Sequence, residues 1–313
     1  MTWEPSASIK NLQQRALVLQ QIREFFAKRQ VLEVETPLLS QGTVTDLYID
    51  SIAVAMYGKT YYLQTSPEYA MKRLLAAGSG SIYQITKAFR QDQSGRIHNP
   101  EFTMLEWYRV GFDHQALMDE MDELLQWILA TAPAQRFTYR EIFLRYLAMD
   151  PHAVSDEELW QCVKQRIELA SEITDRDTWL DLLFVNCIEP NIGREQPVFI
   201  YDFPATKAAL AKIRLDNPPV ASRFEVYFHG MELANGFHEL QDGNEQGERF
   251  ERDLQLREQQ GKTIIPIDQR FLAALTHGLP DCAGVALGID RLVMLAAQST
   301  AISEVVSFDF ARA

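Results

Sequence analysis

Glutamate and tyrosine alternate on two stretches of this 313-residue chain, and both stretches have the composition of a β-strand. In the first, FTMLEWYR, a period of two places Glu106 and Tyr108 on the same face of the strand. A carboxylate beside a phenol can bind an ammonium group, the carboxylate by charge and the phenol by a hydrogen bond. The alternative is that Glu106 is simply solvated on an open sheet face, and this strand alone does not decide between the two.

The second stretch, RFEVYFHGMELANGF, has the pattern of a hairpin that turns at His229-Gly230. A two-residue turn there pairs Tyr227 with Glu232, and it puts Glu225 on the same face as both. Two carboxylates on one face repel each other unless a cation lies between them. Magnesium bound to nucleotide phosphates suits such ligands. A charged face turned to solvent is the alternative, and this hairpin alone favours it.

A third signal is Arg291, which the segment GVALGIDRLVML places with Asp290 in the first turn of an apolar helix. A cation at the positive end of a helix is locally unfavourable. Arg291 is favourable there if an anion binds at that end, because helix N-termini and guanidinium groups both bind phosphate. An exposed arginine with a tolerable cost is the alternative. Together, the three signals indicate ATP-dependent activation of an amino acid.

Several elements must position these residues. Predicted helices cover residues 8–29, 67–77, 114–131, 155–189 and 244–260. Ser8 caps the first helix, Pro67 lies in the first turn of the second, and Ser155 with Glu158 forms a capping box. Predicted strands come mostly as antiparallel hairpins, one of them around Tyr57-Gly58. This order favours an α+β fold over a doubly wound sheet.

The composition excludes several classes of protein. Acidic residues outnumber basic ones 43 to 30, and a net charge of −13 disfavours binding to a nucleic-acid backbone. We expect no membrane partner and a cytoplasmic location, since there is no long apolar run, no secretory signal and no disulfide framework among three scattered cysteines. The sequence GKT at 58–60 lacks the first glycine of a P-loop, because Ala53 stands there.

The order of the segments resembles a known family. The first helix with the strand that ends at Pro37, the segment FRQD…RIHNPEFTMLEWY and GVALGIDR resemble motifs 1, 2 and 3 of class II aminoacyl-tRNA synthetases. TSPEYAMKRLL, HNPEFTMLEWY and MELANGFHEL resemble the lysyl branch of that family. The resemblance covers essentially the whole chain. It implies one catalytic domain over residues 1–313, with an antiparallel β-sheet flanked by helices.

Because the chain starts at motif 1, we expect it to lack the N-terminal anticodon-binding domain of lysyl-tRNA synthetases. In this it resembles the elongation factor P lysine ligases, which are truncated lysyl-tRNA synthetase paralogues. That resemblance implies that ATP and Mg²⁺ are used to activate (R)-β-lysine or lysine. The activated amino acid is then joined to a lysine side chain of elongation factor P. It also implies a homodimer formed partly through motif 1.

The resemblance implies a role for each matching residue. Arg90 and Arg291 would be catalytic, since they would contact the phosphates. ATP would be bound by Arg90, Gln91, Asp92, Asn99, Glu232, Leu233, Gly288 and Arg291. The amino acid would be bound by Ser66, Pro67, Glu68, Glu106, Tyr108 and Glu239. Magnesium would be held by Glu225 and Glu232.

Three positions depart from the family pattern. Motif 2 reads Arg90-Gln91-Asp92, where relatives usually have Arg-Asn-Glu, and Ala286 stands where lysyl-tRNA synthetases carry glycine. The added methyl group of Ala286 is consistent with a pocket reshaped for a β-amino acid. Two other functions stay open: a minimal synthetase-like enzyme with tRNA or a small molecule as acceptor, and a non-catalytic regulatory paralogue. The net charge argues against tRNA, and the presence of both arginines and both metal carboxylates argues against a regulatory paralogue.

Overall fold

The computed structural model describes residues 3–168 and 175–313. Most of the helices predicted from the sequence begin and end within two residues of the observed ones. The helices are α1 Ile9–Lys28, α2 Glu68–Ala76, α3 His114–Leu129, α4 Tyr139–Leu147, α5 Asp156–Arg166, α6 Arg176–Leu183, α7 Gly243–Gln259, α8 Gln269–Gly278 and α9 Ile289–Ala296. The strands are β1 Leu32–Glu33, β2 Leu39–Ser40, β3 Ala53–Met56, β4 Lys59–Leu63, β5 Ile82–Phe89, β6 Glu101–Val110, β7 Gln135–Thr138, β8 Val198–Pro204, β9 Ile213–Arg214, β10 Val220–Phe228, β11 Met231–His238 and β12 Cys282–Gly288.

The predicted caps are confirmed where a side chain can reach the first turn. Ser8 accepts a hydrogen bond from the backbone of α1, and Ser155 with Glu158 forms the capping box of α5. Pro67 is the N-cap of α2 and not part of its first turn. The helical prediction for 155–189 gives α5 and α6, and its residues 169–174 lie outside the described part. Helices α4 and α8 were missed.

The described residues form two compact units, which we treat separately. The first contains the chain up to Phe112 and again from Leu240 onward. Its main strands are ordered β1-β5-β6-β12, with β1 parallel to β5 and the other pairs antiparallel, and β2, β4 and β3 form a second antiparallel sheet. Helix α1 packs on the main strands through Phe26, which stacks on Tyr83 at 4.4 Å between ring centroids. This packing holds motif 1 against the strands that carry motif 2.

The second unit runs from Asp113 to Glu239. Strands β8, β10 and β11 are antiparallel, β9 pairs with β10, and β7 is parallel to β8. Its core combines aliphatic side chains with aromatic rings, and Tyr139 stacks on Phe143 with 4.6 Å between centroids. Mixed, largely antiparallel strands with helices confirm the α+β prediction, while the single domain over 1–313 stays a prediction. In the described residues, no helix is both long and apolar enough to cross a bilayer.

Candidate active site

The carboxylate of Glu106 lies in the middle of β6 and is almost completely buried, with 2% exposure. Tyr108 donates its phenolic hydrogen to Oε1 at 2.6 Å, and Ser66 donates its hydroxyl hydrogen to Oε2 at 2.6 Å. The paired positions on the neighbouring strands are Gln84 and Ala286. The prediction that Glu106 and Tyr108 share a face is confirmed, and a solvated Glu106 is ruled out.

Two charged residues of α2 determine the electrostatics around Glu106. Burial and then the charge of Glu68 raise the pKa of Glu106 to about 7, although its two hydroxyl donors and Lys72 act in the opposite direction. Lys72, itself 1% exposed, contacts Glu68 with 2.6 Å between Nζ and Oε1. The backbone N–H of Glu68 in turn donates to Ser66 Oγ at 3.0 Å. With both carboxylates ionised, this cluster carries a net charge of −1 and can receive one ligand ammonium.

Arg90 begins the loop that joins β5 to β6. Its backbone N–H donates to the carbonyl of Pro100 at 3.0 Å, which closes the loop at its base. Its guanidinium carbon lies 5.3 Å from the centre of the Phe102 ring. Asp92, two residues on, is exposed. The loop therefore holds Arg90 at the sheet end and leaves the Asp92 side chain turned to solvent.

Three hydrogen bonds brace the same loop, one between backbone groups and two from the Asn99 side chain. Gln91 donates its N–H to the carbonyl of Asp50 at 2.9 Å. The buried amide of Asn99 donates from Nδ2 to the carbonyl of Glu101 at 2.6 Å, and its Oδ1 accepts the N–H of Phe310 at 3.0 Å. Asn99 thus connects the end of the loop to the C-terminal segment of the chain.

Helix α9 begins directly after Gly288, which is its N-cap. Asp290, in its first turn, is 2% exposed and accepts from Arg15 Nη1 at 2.6 Å and from the N–H of Thr103 at 2.8 Å. Arg15 also donates to Thr103 Oγ1 at 2.7 Å. Asp290 therefore does more than complement the helix dipole, since it joins α1, β6 and α9 into one frame.

Arg291, the next residue, faces the loop between β5 and β6. Its Nη2 lies 3.0 Å from His98 Nε2, and its Nε donates to the carbonyl of Ile97 at 3.4 Å. Burial lowers the pKa of His98, as do Arg291 and Arg90, while Asp92 opposes them. Two arginines acting on one histidine indicate a positive potential at this point, which suits a polyphosphate.

In the second unit, Glu225 repeats the arrangement of Glu106 with a different neighbour. Tyr227 donates its phenolic hydrogen to one carboxylate oxygen, as Tyr108 does for Glu106, but Arg223 donates to the other. Arg223 also donates to Asn235 Oδ1 at 3.2 Å and to the carbonyl of Lys207 at 2.9 Å. Burial disfavours the guanidinium, but the two nearby carboxylates outweigh this and raise the pKa of Arg223.

The turn prediction for this hairpin is confirmed. His229 and Gly230 both have positive φ, at 49° and 69°, and Tyr227 pairs with Glu232 as expected. A bulge between Val226 and Tyr227 was not foreseen. Leu233 on β11 is buried. Glu239, just after β11, is 1% exposed and forms an isolated β-bridge with Ala211.

The predicted site residues divide between the two units. The first unit contains Ser66, Pro67, Glu68, Arg90, Gln91, Asp92, Asn99, Glu106, Tyr108, Gly288 and Arg291, and the second contains Glu225, Glu232, Leu233 and Glu239. Sequence reasoning missed four charged or polar partners: Arg15, Lys72, His98 and Arg223. Helical i,i+4 spacing from Glu68 was a signal for Lys72, and strand i,i+2 spacing from Glu225 was one for Arg223. No such signal existed for Arg15, whose partner Asp290 is far away in the chain.

Comparisons with known proteins identify a family and several close relatives of this chain. The family model described as tRNA synthetases class II (D, K and N) matches residues 2–312. An elongation factor P–(R)-β-lysine ligase of Vibrio cholerae serotype O1 is 56% identical over 99% of this chain and 98% of its own length. Proteins with the same name in Pseudoalteromonas translucida and Yersinia enterocolitica are 54% and 52% identical, again over at least 98% of both chains.

Proposed function

The chain belongs to the class II tRNA synthetases of the D, K and N type, and we propose that it is an ATP-dependent ligase that joins (R)-β-lysine to elongation factor P. Relatives named for this activity match nearly the full length of the chain, which supports the proposal. The observation that carries it is the buried Glu106, because a carboxylate held by two hydroxyls in a closed site suits a substrate ammonium.

For the amino acid, we propose that Tyr108 takes the distal ammonium and that Glu106 adds negative charge. Glu239 is proposed as an amino-acid-binding residue of the second unit. Ser66 to Glu68 would contact the amine next to the reacting carboxylate. The hydrogen bond from the Glu68 N–H to Ser66 Oγ supports this, since it fixes the segment that leads into α2. Ala286, directly paired with Glu106, adds a methyl group beside this pocket and supports a preference for a β-amino acid.

For the nucleotide, we propose that Arg90 binds the α-phosphate together with the reacting carboxylate. Arg291 would bind the γ-phosphate, and the backbone near Asp92 would lie at the adenine. Asn99 and Gly288 would line the rest of the nucleotide. The segment Glu232-Leu233 is proposed as the ATP-binding segment of the second unit. The two arginines that act on His98 support this assignment, because guanidinium groups bind phosphate.

The donor set fits Mg²⁺ bound together with phosphates. Among the described residues there is no cluster of three or more metal-ligating side chains, whereas Glu225 and Glu232 project from paired strands. Magnesium takes one or two carboxylates and completes its shell with phosphate oxygens and water. Glu225 and Glu232 would hold the ion, which would supply charge neutralisation at the phosphates.

The reaction then proceeds in two steps. A carboxylate oxygen of the amino acid attacks the α-phosphorus of ATP, which forms an aminoacyl-adenylate and releases pyrophosphate. Arg90 and Arg291 stabilise the charge that develops on the phosphoryl oxygens. In the second step, a neutral lysine amine of elongation factor P attacks the adenylate carbonyl. An amide forms, and AMP and a proton leave. Positioning is the main task, so the protein needs no covalent nucleophile.

Three further proposals accompany this function. The enzyme is a homodimer formed partly through motif 1, which comprises α1 and the chain up to Pro37. It works in the cytoplasm, and tRNA is not its acceptor. The net charge of −13 supports the last of these, because it opposes the approach of a polyanion.

The test is a transfer assay followed by intact-mass measurement. Purified protein receives ATP, Mg²⁺ and either lysine or (R)-β-lysine, with elongation factor P or bulk tRNA in separate tubes. We expect one added lysyl unit on elongation factor P, with faster transfer of the β-isomer. Charged tRNA with unmodified elongation factor P would show a minimal synthetase instead. The absence of any pyrophosphate release would indicate a regulatory paralogue.

A further inference from the structure

Lys72 is one of the largest completely buried side chains of the described residues. It lies on α2 one turn after Glu68, and its ammonium contacts the Glu68 carboxylate at 2.6 Å. The ring of Phe271 on α8 lies 5.7 Å from Nζ. Burying an ammonium costs several kcal/mol unless it is paired, so a lysine at this position needs a reason.

A helix-stabilising pair does not account for Lys72. Exposed i,i+4 ion pairs contribute only about 0.3–0.5 kcal/mol, and they need no burial. Arg249 and Glu245 make a partly exposed i,i+4 pair on α7, with side-chain exposures of 10% and 40%. In contrast, the Lys72 side chain is 1% exposed and Glu68 is 17% exposed. The pair on α2 therefore faces inward, toward the cluster around Glu106.

Lys72 offsets part of the negative charge of that cluster. When ionised, Glu106 and Glu68 contribute two negative charges and Lys72 contributes one positive charge, which leaves −1 toward the ammonium groups of the substrate. Without Lys72 the cluster would carry −2, and Glu106, whose pKa is already raised by burial and by the charge of Glu68, would take up a proton more readily. Both oxygens of Glu106 already accept O–H donors, so a proton there would break one of those hydrogen bonds.

The groups that face Glu106 come from three directions. Helix α2 provides Glu68 and Lys72, the segment before it provides the hydroxyl of Ser66, and β6 itself provides Tyr108. The residues paired with Glu106 on β5 and β12 are a glutamine and an alanine, which are uncharged. Lys72 is thus the positive charge that acts on this carboxylate from α2.

We propose that Lys72 is a positioning residue of the amino-acid site: it fixes the Glu68 carboxylate and supplies the cation that lets Glu68 and the buried Glu106 stand side by side. This inference rests on the proposed function, because it assigns the amino-acid site to this cluster. Glu68 then keeps its place next to the reacting-end amine. Ser66 and Tyr108 keep their hydrogen bonds to the ionised Glu106 above pH 7.

The experiment compares Lys72→Met with wild type in amino-acid-dependent exchange of pyrophosphate into ATP, from pH 6 to pH 9. The amino acid is (R)-β-lysine, with lysine in parallel. Lys87→Met is the matched control, because Lys87 lies on β5 in an exposed ion pair with Glu101. In Lys72→Met we expect KM for the amino acid to rise about tenfold at pH 7, with KM for ATP unchanged. We also expect the pH at which binding sets in to move upward, while the control follows wild type.

A second variant covers the case in which Lys72→Met does not fold. Glu68→Gln/Lys72→Met removes both partners of the buried pair, which destabilises a protein far less than removing one. Its onset pH should return to that of wild type, because the negative charge that opposed Glu106 ionisation is gone as well. An onset pH that stays equal to wild type in Lys72→Met, or a KM that rises equally for ATP and the amino acid, would overturn the inference while the proposed function stands. A wild type without exchange overturns both.

Discussion

Two strands of this protein carry the same Glu-x-Tyr arrangement, and their carboxylates are held in different ways. On β6, Glu106 accepts two neutral hydroxyls, and the nearest cation described beside it, Lys72, is paired with another carboxylate. On β10, Glu225 accepts one phenol and one guanidinium. The groups that donate hydrogen bonds to a buried carboxylate therefore determine which ligand that carboxylate suits. Glu106 is left short of positive charge and suits a ligand ammonium, whereas Glu225 already contacts one cation, Arg223, before the proposed Mg²⁺ is bound.

The largest expected effect tests the cation beside Glu225. Arg223→Met leaves a buried carboxylate without its partner, and we expect the free energy of unfolding to fall by about 3–5 kcal/mol. Urea denaturation measures this. Arg140→Met is the control, because Arg140 makes an exposed pair with Asp150, and its removal should cost less than about 1 kcal/mol. Equal losses in the two variants would remove the contrast between the two carboxylates.

The next effect concerns the pH dependence of stability through Glu106. Its pKa is about 7 in the folded protein and about 4.5 for an ordinary glutamate, so the folded state binds more protons between these values. The contribution of Glu106 to the free energy of unfolding therefore falls as pH rises from 4.5 to 7, by up to about 3 kcal/mol. The measurement is the difference between wild type and Glu106→Gln at pH 5 and pH 8. A difference that does not change with pH contradicts the burial argument.

Glu106→Gln also separates the two sites by their ligands. The variant keeps the shape of the side chain and removes the charge, so we expect KM for the amino acid to rise roughly 10- to 100-fold. KM for ATP should stay constant. In Glu225→Gln we expect a higher Mg²⁺ requirement, while KM for the amino acid stays unchanged. Steady-state pyrophosphate exchange measures both KM values and the Mg²⁺ requirement. If Glu106→Gln and Glu225→Gln changed the same quantities, the assignment of the two sites would be refuted.

The smallest effects come from the two phenols. Tyr108→Phe and Tyr227→Phe each remove one hydrogen bond to a buried carboxylate, which is worth about 1.5–3 kcal/mol for a charged acceptor. We expect Tyr227→Phe to lie at the low end in urea denaturation, because Arg223 stays in contact with Glu225. Tyr108→Phe should raise the pH at which the amino acid binds, since Glu106 loses one of two donors. A larger stability loss in Tyr227→Phe than in Tyr108→Phe would reverse the comparison.

Residues close together in sequence account for most of what could be predicted. The turn at His229-Gly230 set the register of β10 and β11, so Tyr227 was correctly paired with Glu232. Period two along β6 correctly placed Glu106 beside Tyr108. Motif resemblance indicated the family, which the match over residues 2–312 confirms. The bulge after Val226 escaped prediction because a two-residue turn signal carries no information about spacing further along the strands.

The sequence by itself determined the α+β class, the family and the short-range geometry of each candidate group, since caps, turns and strand alternation depend on residues a few positions apart. Tertiary structure alone decided which charges meet. Arg15 reaches Asp290 across 275 positions, and Arg291 reaches His98 across 193. It also decided that Lys72 is buried, because the packing of α2, and not its spacing, sets how much water reaches an ammonium. The electrostatic role of a side chain depends on such contacts and on burial, and neither can be predicted from the residues nearby in sequence.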